Sequence, residues 1–192
     1  MSKQLYKYSN QDRAKKMMLW FAIISLSMAF AGLTSAYVVS AERPDWITDY
    51  TIPTPFYISL AVIILSSVTM HFAKVNIQRE KHKVGMYLLV TTFVLGILFI
   101  ILQFRGFNDF IRSGYYFTGS ESNITTSYIY LIVLLHVAHI VGGLLALLVV
   151  IYNHFKLKYK NGKTLGIEQA ATFWHFLDGL WIYLFLFFYF VR

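Results

Sequence analysis

Six residues could carry chemistry in this chain. They are His71, the pair His136 and His139, and the set Glu168, His175 and Asp178. Histidines three residues apart share a helical face, and so do Glu168, His175 and Asp178, whose offsets are seven and three. Such sets can pair across helices as structural contacts. They can also handle protons or anchor a lipid or a partner. Opposed histidines can ligate a metal or a b-type haem, with a carboxylate behind one ring fixing its orientation. Spacing alone leaves all three chemistries open. No His-x-x-x-His with Glu, glycine-rich phosphate loop or Ser/His/Asp arrangement accompanies them. The chain has no cysteine, which excludes disulfides, thiolate ligands and cysteine nucleophiles.

The surroundings of these residues are apolar. Of the 192 residues, 57% are hydrophobic and 14% charged, against about 25% charged in a typical soluble domain. The composition is that of an integral membrane protein. Five apolar runs are long enough to cross a hydrocarbon core of roughly 30 Å, at 17–39, 56–73, 84–104, 127–152 and 167–191. The second run is short, and Pro53–Thr54–Pro55 suits an earlier helix start. Only helices or closed barrels satisfy the backbone in lipid, and these runs are too long and continuous for barrel strands. The expected fold is therefore all-α, one transmembrane domain (1–192) of five helices.

The net charge of +8 invites a nucleic-acid reading. The position of the charges argues against it, because they lie between the apolar runs. Lys3, Lys7, Arg13, Lys15 and Lys16 precede the first run. Lys74, Arg79, Lys81 and Lys83 follow the second, and Lys156, Lys158, Lys160 and Lys163 follow the fourth. The opposite side holds Arg43, Arg105, Arg112 and Arg192. This asymmetry places the N-terminus in the cytoplasm and the C-terminus outside. The first run exceeds the usual h-region of about 7–15 residues and reads as a retained span, not a signal peptide. The longest exposed segment is expected at 105–126.

Helices in lipid associate through close backbone approach and buried polar contacts. Ser27, Ala31 and Ser35, beside Gly32 and Ala36, form one face of small residues. Ala138, Gly142 and Ala146 form another. Both read as packing within the bundle, with dimerisation as the alternative. Spans four and five run in opposite directions. His139 and Asp178 then lie roughly 18 and 15 Å from the inner ends of their spans. The expectation is one buried cluster of His136, His139, Glu168, His175 and Asp178 between spans four and five, with His71 near Glu168.

The residues resemble a known family, subunit III of the haem–copper oxidases. Glu168–Gln169–Ala170, then Phe173–Trp174–His175–Phe176–Leu177–Asp178 and Trp181, are similar to the family's E-x-x-x-x-Y-W-H-F-V-D-x-x-W. Leu135–His136–Val137–Ala138–His139 with Gly142 is similar to its F-H-G-L-H-V-x-x-G. Ser66–Ser67–Val68–Thr69–Met70–His71, Gly96 with Gln103, and Phe30–Ala31–Gly32 match further family segments. Two features depart from the pattern. Longer members have seven spans and this chain has five, like a short form lacking the first two. Ser25 is followed by Leu26, where the family often has glutamate, so no role of that glutamate carries over.

The resemblance implies a non-redox subunit of a cytochrome c or quinol oxidase in a bacterial inner membrane. It binds no cofactor itself, while haem and copper sit in partner subunits and structural phospholipids line the chain. Subunit I is the main implied partner. Subunit II, a small subunit IV and a respiratory supercomplex follow. Three other functions fit the same residues less fully. They are an accessory subunit of nitric oxide reductase, a b-haem electron carrier using His71, His136, His139 or His175, and a transporter. Transporter sites favour broken helices, and Pro44, Pro53 and Pro55 interrupt no span centre.

Overall fold

The computed structural model describes residues 2–44, 46–47, 50–119, 122–156, 159 and 164–191, with side chains from residue 11 onward. Lys158, Lys160, Lys163, Arg192 and the side chains of Lys3 and Lys7 lie outside that description. The described residues form five helices and no strand: α1 (Ser2–Ser40), α2 (Thr54–Gln78), α3 (His82–Arg112), α4 (Ile124–Phe155) and α5 (Leu165–Phe190). All five are long and apolar enough to cross a membrane.

The helices begin and end where local chemistry allows. Pro53 and Pro55 sit at the start of α2, where a missing N–H costs nothing. The Asn123 side chain caps α4 by accepting from the Thr125 N–H at 2.9 Å. The turn from α2 to α3 is tight. The Lys81 N–H reaches the Asn76 carbonyl at 2.9 Å and the Glu80 N–H reaches Ile77 at 3.0 Å. This is a Schellman closure, which needs a left-handed residue. Glu80 fills that position at φ 59°.

Each helix begins before its apolar run, and α1 to α4 also end beyond theirs. α1 has 39 residues, and α3 runs on to Arg112. A 39-residue helix is about 58 Å long, twice the hydrocarbon thickness. The expected exposed segment 105–126 is therefore helical for its first third.

The helices α2, α3, α4 and α5 form a ring of four, each packed on the next and α5 closing on α2, while α1 packs outside on α4 and α5. The indole of Trp174 fills the centre. Its Nε1 donates to Ser66 Oγ on α2 at 3.0 Å. Gly96 on α3 and Gly143 on α4 face the same ring. A Cβ on Gly96 would stand 2.8 Å from it, and one on Gly143 3.3 Å. Close approach of the helix backbones to a large indole holds this core together, as expected where lipid offers no hydrophobic contrast.

The two faces of small residues behave differently from expectation. Ser27, Ala31, Gly32 and Ser35 are exposed on α1, and Ala138, Gly142 and Ala146 are exposed on α4. Neither Gly32 nor Gly142 would bring a Cβ within 4 Å of a neighbour. Neither stripe packs inside the bundle. Gly143 is the residue that does, one position and about 100° around the helix from Gly142.

Candidate functional site

Four chain segments meet at one end of the bundle: the first third of α1, the α2–α3 turn, the end of α4 and the start of α5. This basic end carries Arg13, Lys15, Lys16, Lys74, Arg79, Lys81, Lys83 and Lys156. Glu168, in the first turn of α5, gathers it. Its Oε1 accepts from Thr164 Oγ1 at 2.7 Å and from Gln78 Nε2 at 3.3 Å, and its Oε2 lies 3.9 Å from Lys16 Nζ. A polar pocket of about 210 Å³ opens there, lined by Lys16, Trp20, Lys74, Glu168, Gln169 and Thr172.

From that pocket a polar line descends between α2 and α5. The rings of His71 and His175 are 6.3 Å apart. His175 Nδ1 hydrogen-bonds Ser67 Oγ at 2.7 Å. One turn deeper Asp178 is 2% exposed. Neither of its oxygens makes a hydrogen bond, and the Ser67 hydroxyl lies alongside. Positions 168, 175 and 178 on α5 therefore face 78, 71 and 67 on α2.

The α4 histidines occupy another place. His136 is 0% exposed. It stacks on Trp181 at 5.3 Å and meets Phe99 and Phe30 edge-on at 5.9 and 6.2 Å. Neither of its ring nitrogens is hydrogen-bonded, and nor is Trp181 Nε1. His139 Nδ1 donates to the Leu135 carbonyl of its own helix at 2.7 Å, and its ring meets Phe30 at 5.8 Å. The single cluster expected between α4 and α5 is thus two sets. His71, Glu168 and His175 form a seam between α5 and α2 with Asp178 at its foot, and Glu168 is also held by Thr164 and Lys16. His136 and His139 sit among aromatic rings from α1, α3 and α5. Depth along a helix could not distinguish these arrangements, because α2 and α4 both flank α5 at the same level.

Of the remaining motif residues, Trp174 and Trp181 are core rings. Gln103 ties α3 to α2 through Ser59 Oγ at 3.0 Å. Gly32 and Gly142 face outward. Several polar partners, Ser67 and Thr69 of the family-like segment among them, had no contact assigned from the sequence. Ser67 is the partner of His175, and Thr69 and Thr92 join α2 to α3 at 2.9 Å. A hydroxyl in an apolar run carries no spacing signal of its own. Among the described residues no three His, Cys, Asp or Glu side chains converge as a metal-ligand set.

A second cleft, of about 480 Å³, separates α1 from α4 and α5 at the basic end. Lys15, Leu19, Ala146, Val150, Gln169 and Phe173 are among its walls. At the other end α1 is bound closely. Thr34 meets Tyr183 at 3.0 Å, Ser40 donates to Tyr128 at 3.1 Å, and Tyr37 meets Tyr50 at 3.2 Å. α1 is therefore pinned at one end and splayed at the other.

The fold and its interior define a class: a multi-pass membrane protein whose buried ionisable residues lie between helices. The family model for cytochrome c oxidase subunit III matches residues 8–192, and the chain belongs to that family. Subunit 3 of the cytochrome bo(3) ubiquinol oxidase of Buchnera aphidicola (subspecies Acyrthosiphon pisum) is 27% identical over 89% of this chain and 83% of its own length. The same subunit from Buchnera of Schizaphis graminum is 28% identical over 89% and 90%. Subunit 3 of Aedes aegypti cytochrome c oxidase is 30% identical over 69% of this chain but 49% of its own length. The chain is thus a subunit-III-type component of a respiratory haem–copper oxidase.

Proposed function

We propose that this chain is the non-redox third subunit of a terminal oxidase. It packs as one transmembrane domain on the haem-bearing subunit I, near subunit II and a small fourth subunit. It keeps proton uptake and the active site competent during oxygen reduction. The observation that carries this reading is the family match along nearly the whole chain. The bacterial relatives support an inner membrane, and the lysines and arginines of the basic end support a cytoplasmic side there. That makes the pocket at Glu168 an opening on the proton-uptake side. The splayed cleft beside α1 suits the acyl chain of a structural phospholipid. Its 480 Å³ is about the volume of one turn of a helix with its side chains, far short of a membrane-crossing helix.

Purification in mild detergent, with subunit identification and a visible spectrum, tests the reading. The expected result is co-purification with haem-bearing subunits, the Soret band following those subunits. A chain that purifies alone with stoichiometric haem overturns it in favour of the electron-carrier reading.

A further inference from the structure

The seam between α2 and α5 ends blind. It starts at the polar pocket of Lys16, Lys74, Glu168 and Thr172. It continues through His71 and His175, 6.3 Å apart, and through the 2.7 Å contact of His175 with Ser67. It stops at Asp178, midway along α5. From Glu168 to Asp178 the descent is about 15 Å. Asp178 is the one carboxyl among the described residues that is both buried and without a hydrogen bond. A carboxyl buried without a charged partner is held as the neutral acid. Neither Asp178 oxygen makes a full hydrogen bond, and the one hydroxyl beside it, Ser67, is already held by His175 at 2.7 Å.

We propose that Asp178 is a proton-binding site, loaded and unloaded from the basic end through Ser67 and His175. The step moves one proton and changes no redox state. The Asp178 hydroxyl proton passes to Ser67 Oγ as the Ser67 proton passes to His175 Nδ1. The Nε2 proton of His175 then leaves toward the pocket, and the reverse sequence reloads the acid. A serine hydroxyl both donates and accepts, and an imidazole has two exchangeable positions. The ionisable groups facing this path are His71 and Lys74 on α2, Lys16 on α1, and Glu168 and His175 on α5. On α4, His136 and His139 are turned into the rings of Phe30, Phe99 and Trp181 and take no part. The identification of the basic end as the uptake side rests on the proposed function. The path itself rests on the Ser67–His175 contact, the approach of His71 to His175 and the place of Asp178 beside Ser67.

Infrared difference spectroscopy on the full chain in vesicles reads the carbonyl stretch of a protonated carboxyl. A band absent in Asp178→Asn and shifted by D2O is expected. Ser67→Ala should keep the band and slow its exchange by roughly tenfold, the scale of one lost hydrogen-bond link. A pH jump with an impermeant buffer on the face bearing the α2–α3 turn should change the band, and the same jump on the opposite face should not. A band that never exchanges, an exchange rate unaltered by Ser67→Ala, access from the opposite face, or no Asp178-dependent band overturns the proposal. These readouts need no partner subunit. Failure of co-purification would sink the proposed function and leave this inference to stand or fall on the band.

Discussion

His175 Nδ1 lies 2.7 Å from Ser67 Oγ, and this contact ties α5 to α2 and not to α4. It is one of two polar ties between these helices near the membrane centre, the other being Trp174 Nε1 to Ser66 Oγ at 3.0 Å. Adjacent serines thus take one α5 side chain each. Ser67→Ala leaves the His175 nitrogen without its partner and should cost about 1 kcal/mol. Ser67→Thr, which keeps the hydroxyl, should cost less. Thermal unfolding in detergent, followed by circular dichroism, checks the order.

Glycine position decides packing in this bundle. A Cβ on Gly96 would stand 2.8 Å from both Leu144 and Trp174. Gly96→Ala is expected to destabilise the chain by about 1–3 kcal/mol through overpacking. Gly142→Ala meets nothing within 4 Å, and alanine is the better helix former by about 1 kcal/mol. That substitution should leave the isolated chain unharmed. A loss confined to the assembled oxidase would place the exposed stripe of α4 against a partner subunit.

The five helices were legible because each is a continuous apolar run of spanning length, and the start of α2 because Pro53 and Pro55 announce it. The helix ends were not, since α1 and α3 continue through Lys and Arg once they leave hydrocarbon. The ionisable residues of the site were all visible. Their partners were not. Spacing put Glu168, His175 and Asp178 on one face, but nothing along the chain says which of two flanking helices that face meets. Ser67 stood in a family-like segment, but nothing in that segment says that it meets His175. Gly142 and Gly143 differ by a rotation that no apolar run registers.

The α2–α3 turn carries a removable strain. Glu80 adopts φ 59° on an exposed turn, a conformation that costs an L-residue roughly 1–2 kcal/mol and glycine little. Glu80→Gly should therefore stabilise the chain by about 1 kcal/mol, while Glu80→Val should destabilise it. Midpoint shifts in a thermal melt give the comparison.

Tyr159 lies outside the spans and stacks on His154 at 6.3 Å. Burial raises the pKa of its hydroxyl above the usual value of 10.0, with a hydrogen bond to Asn153 acting weakly the other way. A raised folded-state pKa means stability that is whole below about pH 10 and lost as pH climbs past it. Tyr159→Phe keeps the ring and removes the titrating group. The gap between melting points measured near neutrality and at about pH 11 should shrink in the variant.

Asp178→Asn preserves shape and polarity and removes only the exchangeable acid. If the carboxyl is merely packing, an amide in the same volume should leave turnover, pumping and inactivation rate as they were. If it stores a proton on the uptake side, assembly and haem content should be intact while oxygen consumption under load falls several-fold and inactivation comes earlier. Oxygen uptake and proton ejection by vesicles holding the assembled variant separate the two. The control is Ser67→Ala, which removes one link of the path and keeps the acid. It should share the kinetic defect with Asp178→Asn but retain the carboxyl band. Two variants with one functional loss and different spectra would assign the effect to proton access along α2 and α5. Ser67→Ala also loosens the α2–α5 contact by about 1 kcal/mol, so the assignment requires in addition that its band exchange about tenfold more slowly.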